Sequence, residues 1–568
     1  MNSPATPKGH PKGLYVLFAT EMWERFNYYG MRAILVLFLT KALAFDKVFA
    51  SSLYGSYTSL SYLTPLIGGF VADRYWGNRR SIITGGLLMA LGEFILFGCA
   101  SVYQSQPDLS TFLFFTGLGF MITGNGFFKP NISSMVGQLY PEGDRRVDAA
   151  YTIFYMGINV GGALGPAVCG FVGDTGDPTD FKWSFLAAGI AMLLSVIVFQ
   201  WLKDYYIRRA NGAPLGIAPE GAKSVKGILI YAGLFIMAAA MIGMLYVDAK
   251  VFGFLTYLLL LAVIAIVVMI FSDKKLTSAE KKKIAVIFIV AFFVIFFWAA
   301  FEQAGASLTF FADEQTNREL NWNIPVWLIS LISAGLIYLL YRAFVNAKRG
   351  LQNDPQGVRV IIYLLLAAVV GFLVYLNIAL FAGGQGAVTL KELPASTFQS
   401  LNSIFVVAFA PAFAWLWLKL GKYEPSSPTK MAWGLMLLAI GYLVIAFGVK
   451  DVAPGIKVTM MYLIGMYALH TWGELCLSPI GLALVNKLAP VKFASLLMAV
   501  WFLANAIANK LAGTLSALYP EPGKSTQFLG YTMTNMYEFF MLFVGMAGVA
   551  SLILFGITKQ LQKMMNAQ

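Results

Sequence analysis

Residues 21–40, EMWERFNYYGMRAILVLFLT, have the length and apolar character of a membrane-spanning helix. Their first twelve positions nevertheless hold Glu21, Glu24, Arg25 and Arg32. A charge at the centre of a bilayer costs ~2.5–3.5 kcal/mol even on lenient insertion scales, and it is retained where it serves a path or a partner. Glu21, Glu24, Arg25, Tyr28, Tyr29 and Arg32 recur at helical spacing, so they share one side of one helix. A polar stripe along most of a span must face water or protein, because lipid cannot satisfy it. The competing reading is a salt-bridge cluster that only fixes helix packing.

The rest of the chain says what kind of protein surrounds this helix. Of 568 residues, 58% are hydrophobic and 12% charged, and the mean hydropathy is +0.70. Soluble proteins carry about 25% charged residues. About sixteen apolar runs of roughly 17–25 residues follow one another, which predicts an all-α polytopic membrane protein. A β-barrel would show alternating segments of about ten residues instead. The net charge of +13 does not call for nucleic acid, since the basic residues crowd RYWGNRR (74–80), DKKLTSAEKKK (273–283) and the connection 203–226. Such loops stay on the cytoplasmic side, which predicts an even number of crossings with both termini inside. The polar start, MNSPATPKGHPKG, carries no cleavage pattern. Cys99, Cys169 and Cys476 lie within apolar runs, without disulfide or metal spacing.

The longest basic linker follows the sixth span. It divides the chain into a six-helix bundle (1–203), a linker with a transmembrane hairpin at 227–272 (204–283), and a second six-helix bundle (284–568). A further hairpin is inserted at 322–383. Both hairpins hold few polar residues and read as lipid-facing additions, and Arg342, Lys348, Arg349 and Arg359 place the second hairpin's turn in the cytoplasm. Six plus six is the plan of many secondary transporters, with substrate near the midplane between the bundles.

Charge recurs inside other spans. Lys129 lies in GNGFFKPNISS, just before Pro130, which removes a backbone donor. Glu302 lies in FWAAFEQAGASLTFF, with Trp298 and Gly305 on its face. Glu474 lies in HTWGELCLSPIGLALVNK, with His470 and Ser478 four residues to either side. Trp501, Asn505 and Asn509 line the next span, and Tyr62, Tyr155 and Asn159 the second and fifth. The acids Glu21, Glu24, Glu302 and Glu474 outnumber the bases Arg25, Arg32 and Lys129 by one. A desolvated carboxylate without a cation takes up a proton, which points to proton coupling. Glu93 and Glu538 read as structural or interfacial. Separated cationic and anionic groups suit a zwitterion, the bases holding a carboxylate and the glutamates an ammonium. Tyrosines also form interfacial belts, but Tyr28, Tyr29 and Tyr62 lie well within spans, where a cavity is favoured. An embedded enzyme is not supported: His10 and His470 are the only histidines, and no metal-ligand cluster or catalytic constellation is present. A channel would place its charges in a ring rather than scatter them over both bundles.

With these residues assembled, the sequence resembles the proton-dependent oligopeptide transporter family of the major facilitator superfamily. The resemblance rests on EMWERFNYYG, GGFVADRYWGNRR, FFKPNISS, YTIFYMGINVGGALGP, FEQAGASLTFFAD, TFQSLNSIF and GELCLSPIGLALVNKLAP, which span nearly the whole chain. It implies the major facilitator fold and symport of protons with di- and tripeptides into the cytoplasm by alternating access. The setting it implies is the bacterial inner membrane, with membrane lipid around a monomer and no cofactor. By matching motif, Arg32 and Lys129 would bind the peptide carboxylate, and Glu474 its amino group, helped by Asn159 and Asn402. Glu302 would carry a proton and pair with Arg32. Glu21, Glu24 and Arg25 would couple proton movement to peptide binding. Tyr29, Tyr62, Tyr155, Trp298, Ser478 and Trp501 would line side-chain pockets. The competing reading within transport is uptake of another small anion or an amino-acid derivative. The sequence departs from the family's pattern at hairpin 322–383, at His470, and at Ser403, where the family usually has proline. The second span lacks the histidine of animal members, which leaves a carboxylate-only proton route.

Overall fold

The computed structural model describes residues 9–218, 227–250, 253–351, 354–384, 386–453 and 455–566. The end of the first linker, 219–226, and the first eight residues lie outside the described residues. Six helices come first: α1 (Lys12–Leu37), α2 (Lys47–Val71), α3 (Gly77–Val102), α4 (Pro107–Gln138), α5 (Arg146–Gly173) and α6 (Phe181–Tyr206). The first extra hairpin is α7 (Gly227–Lys250) and α8 (Phe254–Phe271). α9 (Ser278–Phe301) and the short α10 (Ser307–Glu314) form one interrupted span. The second hairpin is α11 (Val326–Leu351) and α12 (Gln356–Ala382), followed by α13 (Ser400–Leu420), α14 (Ser427–Val449), α15 (Met460–Leu488), α16 (Ala494–Ser516) and α17 (Met536–Met565). Apart from α10, with 8 residues, every helix has at least 18. At 1.5 Å per residue that approaches the ~30 Å hydrocarbon core. Length and hydropathy alone mark thirteen candidate spans among the described residues, one of them joining α2 and α3. Taking α2 and α3 apart and adding α1 and α15, the helices that carry charge, gives sixteen, an even number that puts both chain ends on the same side.

Two expected spans differ in detail. The segment 322–343 begins as a strand: Glu319–Pro325 pairs antiparallel with Ala387–Glu392 at the end opposite the termini. Helix α11 starts only after Pro325 and runs on to Leu351, so Arg342 and Arg359 stand on helices rather than in a turn. Their long alkyl stems let a helix continue past the hydrocarbon while the charge reaches water. The segment 284–311 is not one helix, because it breaks at Glu302–Gly305.

The helices gather in two groups. In the first, α1 lies against α5 and α6, α3 against α4 and α6, and α2 against α4. In the second, α14 lies against α15 and α17, and α9 against α16 and α17. Two seams join the groups, α2 on α16 and α5 on α13. Along the first seam a Cβ on Gly55 would stand 2.8 Å from Gly513 Cα, so the backbones themselves touch. Small residues permit this close approach in membranes, where dispersion rather than the hydrophobic effect holds helices together. Ser51 and Ser516 hydrogen-bond at 3.2 Å one turn further on. Along the second seam Ser400 Oγ donates to Ala163 O at 2.7 Å, and Gly162 sits directly on Ser403 Oγ. α13 runs unbroken through Ser403 and carries Pro411 deeper in. Lys41–Asp313 (2.7 Å) and Lys47–Glu314 (2.6 Å) add ion pairs at the same end. On the same two helices Tyr155 and Ile404 are exposed. These contacts hold the two groups together at the end opposite the termini.

The hairpins attach unequally. α7 packs on α2 and α4, and α8 on α16. This corrects the expectation of a wholly lipid-facing addition, because α7 carries a buried Asp248 against the core. α12 meets the core at α6, where Val358 is buried, packs on α11, and leaves much of its remaining surface exposed.

Candidate functional site

The polar stripe of α1 faces inward along its length. Near its start, Arg25 Nε stands 2.9 Å from Glu21 Oε1 and 2.7 Å from Glu24 Oε2, with all three side chains buried. One guanidinium thus serves two carboxylates. Both Glu24 oxygens, Glu21 Oε2 and Arg25 Nη2 have no hydrogen-bond partner. Two turns on, Arg32 Nη1 donates to Glu302 Oε2 at 2.9 Å, an ion pair between the two helix groups. The guanidinium also lies over the Tyr29 ring, 4.9 Å from its centroid.

The break after α9 presents Glu302. A helical turn of 3₁₀ type, Glu302–Gly305, replaces the α-helix there, and Gly305 lies so close under Tyr54 that no side chain fits. A broken helix in a membrane must satisfy the backbone groups it frees. Here Gln303 Nε2 donates to Ala299 O and to Ala512 O, both at 3.0 Å, and Thr309 Oγ1 to Ala304 O at 2.8 Å. Ser307 Oγ fixes the Gln303 amide at 2.6 Å.

Across from Arg32, Asn402 Nδ2 on α13 donates to Glu474 Oε2 on α15 at 2.8 Å and to Thr471 Oγ1 at 3.2 Å. Among the described residues no cation stands within ion-pair distance of Glu474. Lys129, on α4, likewise has no carboxylate within that distance, and its ammonium lies 4.4 Å from the centroid of Tyr62. A narrow gap connects the arginine side with the asparagine side. Tyr29, Arg32, Gly162, Asn402, Tyr467 and His470 are on its wall, and its volume, about 20 Å³, is enough for one water.

The other expected residues fall around this centre. Asn159 spends its amide on its own helix, donating to Tyr155 O at 2.9 Å, and Tyr155 is exposed. Trp298 packs edge-on to Phe297 and Phe301, at 5.3 and 5.2 Å. Trp501 is buried against Gly481, joining α16 to α15, and Ser478 is half-buried one turn beyond Glu474. Glu93 is buried on α3 and accepts from Asn27 at 2.9 Å, while Glu538 caps the start of α17 through Thr534. Both fit the structural role expected of them.

Sequence reasoning missed Tyr54, Thr471, Gln399 and Tyr467. Tyr54 reaches Glu302 Oε2 at 3.4 Å. It stands eight residues before Tyr62 on the same helix face, a spacing that could have revealed it. Gln399 comes from a short 3₁₀ turn before α13 and has no such signal.

This arrangement matches known proteins over nearly its whole length. The profile of the POT family matches residues 79–346 and 377–562, passing over 347–376, the end of α11 and most of α12. The uncharacterized transporter YclF of Bacillus subtilis is 33% identical over 537 residues, 92% of this chain and 90% of that protein. The di-/tripeptide transporter of Lactococcus lactis subsp. lactis is 30% identical over 532 residues, 90% of each chain. The crystal structure of a POT family transporter in complex with 5-aminolevulinic acid superposes with a TM-score of 0.72 at 27% identity, covering 98% of both chains. An integral membrane protein of major facilitator fold, this chain belongs to the POT family of transporters.

Proposed function

We propose that the protein is a proton-coupled symporter that carries di- and tripeptides into the cytoplasm by alternating access. The observation that carries this reading is the pair of unpaired charges. Among the described residues, Lys129 in one helix group has no carboxylate, and Glu474 in the other no cation, within ion-pair distance. A peptide zwitterion supplies both, its carboxylate to Lys129 and Arg32 and its ammonium to Glu474 and Asn402. Tyr29, Tyr62, Tyr155, Asn159, Trp298, Ser478 and Trp501 are assigned to the walls around its side chains. The Arg32–Glu302 pair gives a proton its task. Protonating Glu302 frees the guanidinium for the peptide carboxylate and loosens one tie between the helix groups. Glu21, Glu24 and Arg25 are assigned to the same coupling, since two carboxylates on one guanidinium leave a charge that a proton can cancel.

The moving bodies are residues 1–203 and 284–568, with 204–283 as linker. The protein acts as a monomer in the cytoplasmic membrane, both termini inside, so the structure is closed toward the outside. The hairpin 322–383 lies outside the transport path. Pro325 and Ala387 are cross-strand neighbours in the ribbon below it, so a two-residue turn can replace residues 326–386. That deletion should leave peptide exchange within about twofold of the parent, and its abolition would reject this division of the chain.

Reconstitution into liposomes tests the function directly. An imposed inward proton gradient should drive accumulation of labelled dialanine above its external concentration, and an uncoupler should release it. Failure to concentrate any di- or tripeptide would reject the proposal. A second reading, uptake of an amino-acid derivative, is favoured by the relative crystallised with 5-aminolevulinic acid, which also carries an amine at one end and a carboxylate at the other. Under this reading 5-aminolevulinic acid would displace labelled dialanine, or be transported where dialanine is not.

A further inference from the structure

The first accessory hairpin holds a buried ion pair that the transport site does not use. Asp248, near the outer end of α7, is paired with Lys510 of α16 at 2.5 Å, both side chains sealed from solvent. Ser56 of α2 stands within hydrogen-bond reach of both: Lys510 Nζ donates to its hydroxyl at 2.8 Å, and the hydroxyl contacts Asp248 Oδ2. The other Asp248 oxygen accepts from Leu255 N at 2.9 Å and so fixes the start of α8. Three bodies therefore meet at one carboxylate: the hairpin, the first helix group and the second.

The hairpin is seated on the first group by packing. Tyr246 lies edge-on to Phe115 at 5.7 Å, Tyr231 lies 5.4 Å from Trp76, and Ile242 fills the space over Gly119. Its fit to the second group is looser, since a cavity of about 370 Å³ lies between α8 and α16, with Tyr257, Leu260 and Lys510 on its wall. Lys510 is thus the hairpin's polar hold on the second group at the outer end; at the inner end Asp273, just past α8, pairs with Lys492 just before α16. It stands three residues before Gly513, where the backbones of α2 and α16 close the outer end.

The geometry points to a latch: the accessory hairpin, through Asp248, grips Lys510 of α16 and holds the outer end of the transporter closed. The inference rests on alternating access, in which α2 and α16 part at this end. Parting them takes Lys510 from Asp248 and Ser56 together, leaving opposite charges in hydrocarbon until water reaches them, which disfavours the open state. Neutralising the pair removes that penalty from the open state and the attraction from the closed one.

Spin labels test this in the full-length protein in lipid nanodiscs. With Cys99, Cys169 and Cys476 replaced, labels at Val48 and Lys524 report the separation of the two groups at the outer end. The parent should show a dominant short distance and a minor long one. Asp248→Asn should raise the long-distance population at least about threefold, as a shift in a two-state equilibrium. Asp248→Asn with Lys510→Met should do the same without a lone buried charge, which covers the case in which the single variant does not fold. An unchanged distribution in either folded variant, whatever its melting temperature, would make the pair a packing anchor and overturn the latch. A parent that shows one distance under every proton and peptide condition would overturn alternating access itself, and the latch with it.

Discussion

Glu302 and Glu474 are both nearly sealed from solvent, at 5% and 9% exposure, yet they stand in different surroundings. Glu302 sits at a helix break, takes a guanidinium at 2.9 Å and bridges the helix groups. Glu474 sits in an unbroken helix and takes an amide donor at 2.8 Å from its own group. A carboxylate already paired with a cation can respond to a proton by releasing that cation. A carboxylate without one can respond to a ligand by gaining it. The contrast assigns the proton to Glu302 and the peptide amine to Glu474.

The most severe test of this contrast is Glu302→Gln, which keeps shape and hydrogen bonding but cannot change charge. Uphill uptake driven by a pH gradient should vanish, while counterflow of labelled dialanine between equal concentrations should persist. Gradient-driven accumulation in this variant would move the proton elsewhere and erase the distinction. Next in size is Glu474→Ala. A hydrogen bond to a charged group is worth about 1.5–3 kcal/mol, so affinity for dialanine should fall tenfold or more. An N-acetylated analogue, which has no ammonium, should lose far less, and equal losses for both ligands would reject the assignment. Lys129→Gln should cost less again, about threefold to tenfold, because Arg32 shares the carboxylate and the ammonium already gains from the Tyr62 face. Competition by a C-amidated dipeptide, which lacks the carboxylate, should change little. If the amide loses as much as the acid, Lys129 acts on the fold and not on the ligand.

Much of this was legible because each message is local. The α1 stripe follows from helical spacing alone, and the spans follow from length and hydropathy. The pairing was harder. Counting acids against bases predicted one surplus carboxylate, whereas the structure leaves Glu474 and Lys129 both unmatched by putting Glu21 and Glu24 on one arginine. A count cannot see which charges share a partner. The latch shows the same limit more sharply. Asp248 is followed by Lys250 near a span end, and Lys510 stands alone within a span in NAIANKLAG, where the count of acids and bases passed over it; neither points to the other until a fold brings them together. The break at Glu302 was hidden too: Gly305 weakens the helix in FWAAFEQAGASLTFF without marking a break, and only the fold shows that the glycine is needed to make room for Tyr54.

Tyr54 supplies the smallest and most discriminating test. Its hydroxyl lies 3.4 Å from Glu302 Oε2, the same oxygen that accepts from Arg32 at 2.9 Å. A contact that long is weak, and the carboxylate keeps its stronger partner when the hydroxyl goes. The side chain is fully buried over Gly305, the hydroxyl nearest and the ring carbons just behind it, so Tyr54→Phe keeps the ring in place over the break. Gradient-driven uptake should therefore fall by no more than about twofold, within the ~0.5–1.5 kcal/mol of an ordinary hydrogen bond. Initial rates over a range of dialanine concentrations would show it, with counterflow unchanged. A loss of uphill uptake as complete as that of Glu302→Gln, with counterflow intact, would place the tyrosine hydroxyl on the proton's route, and the proton-carrying unit would then be the pair rather than the carboxylate.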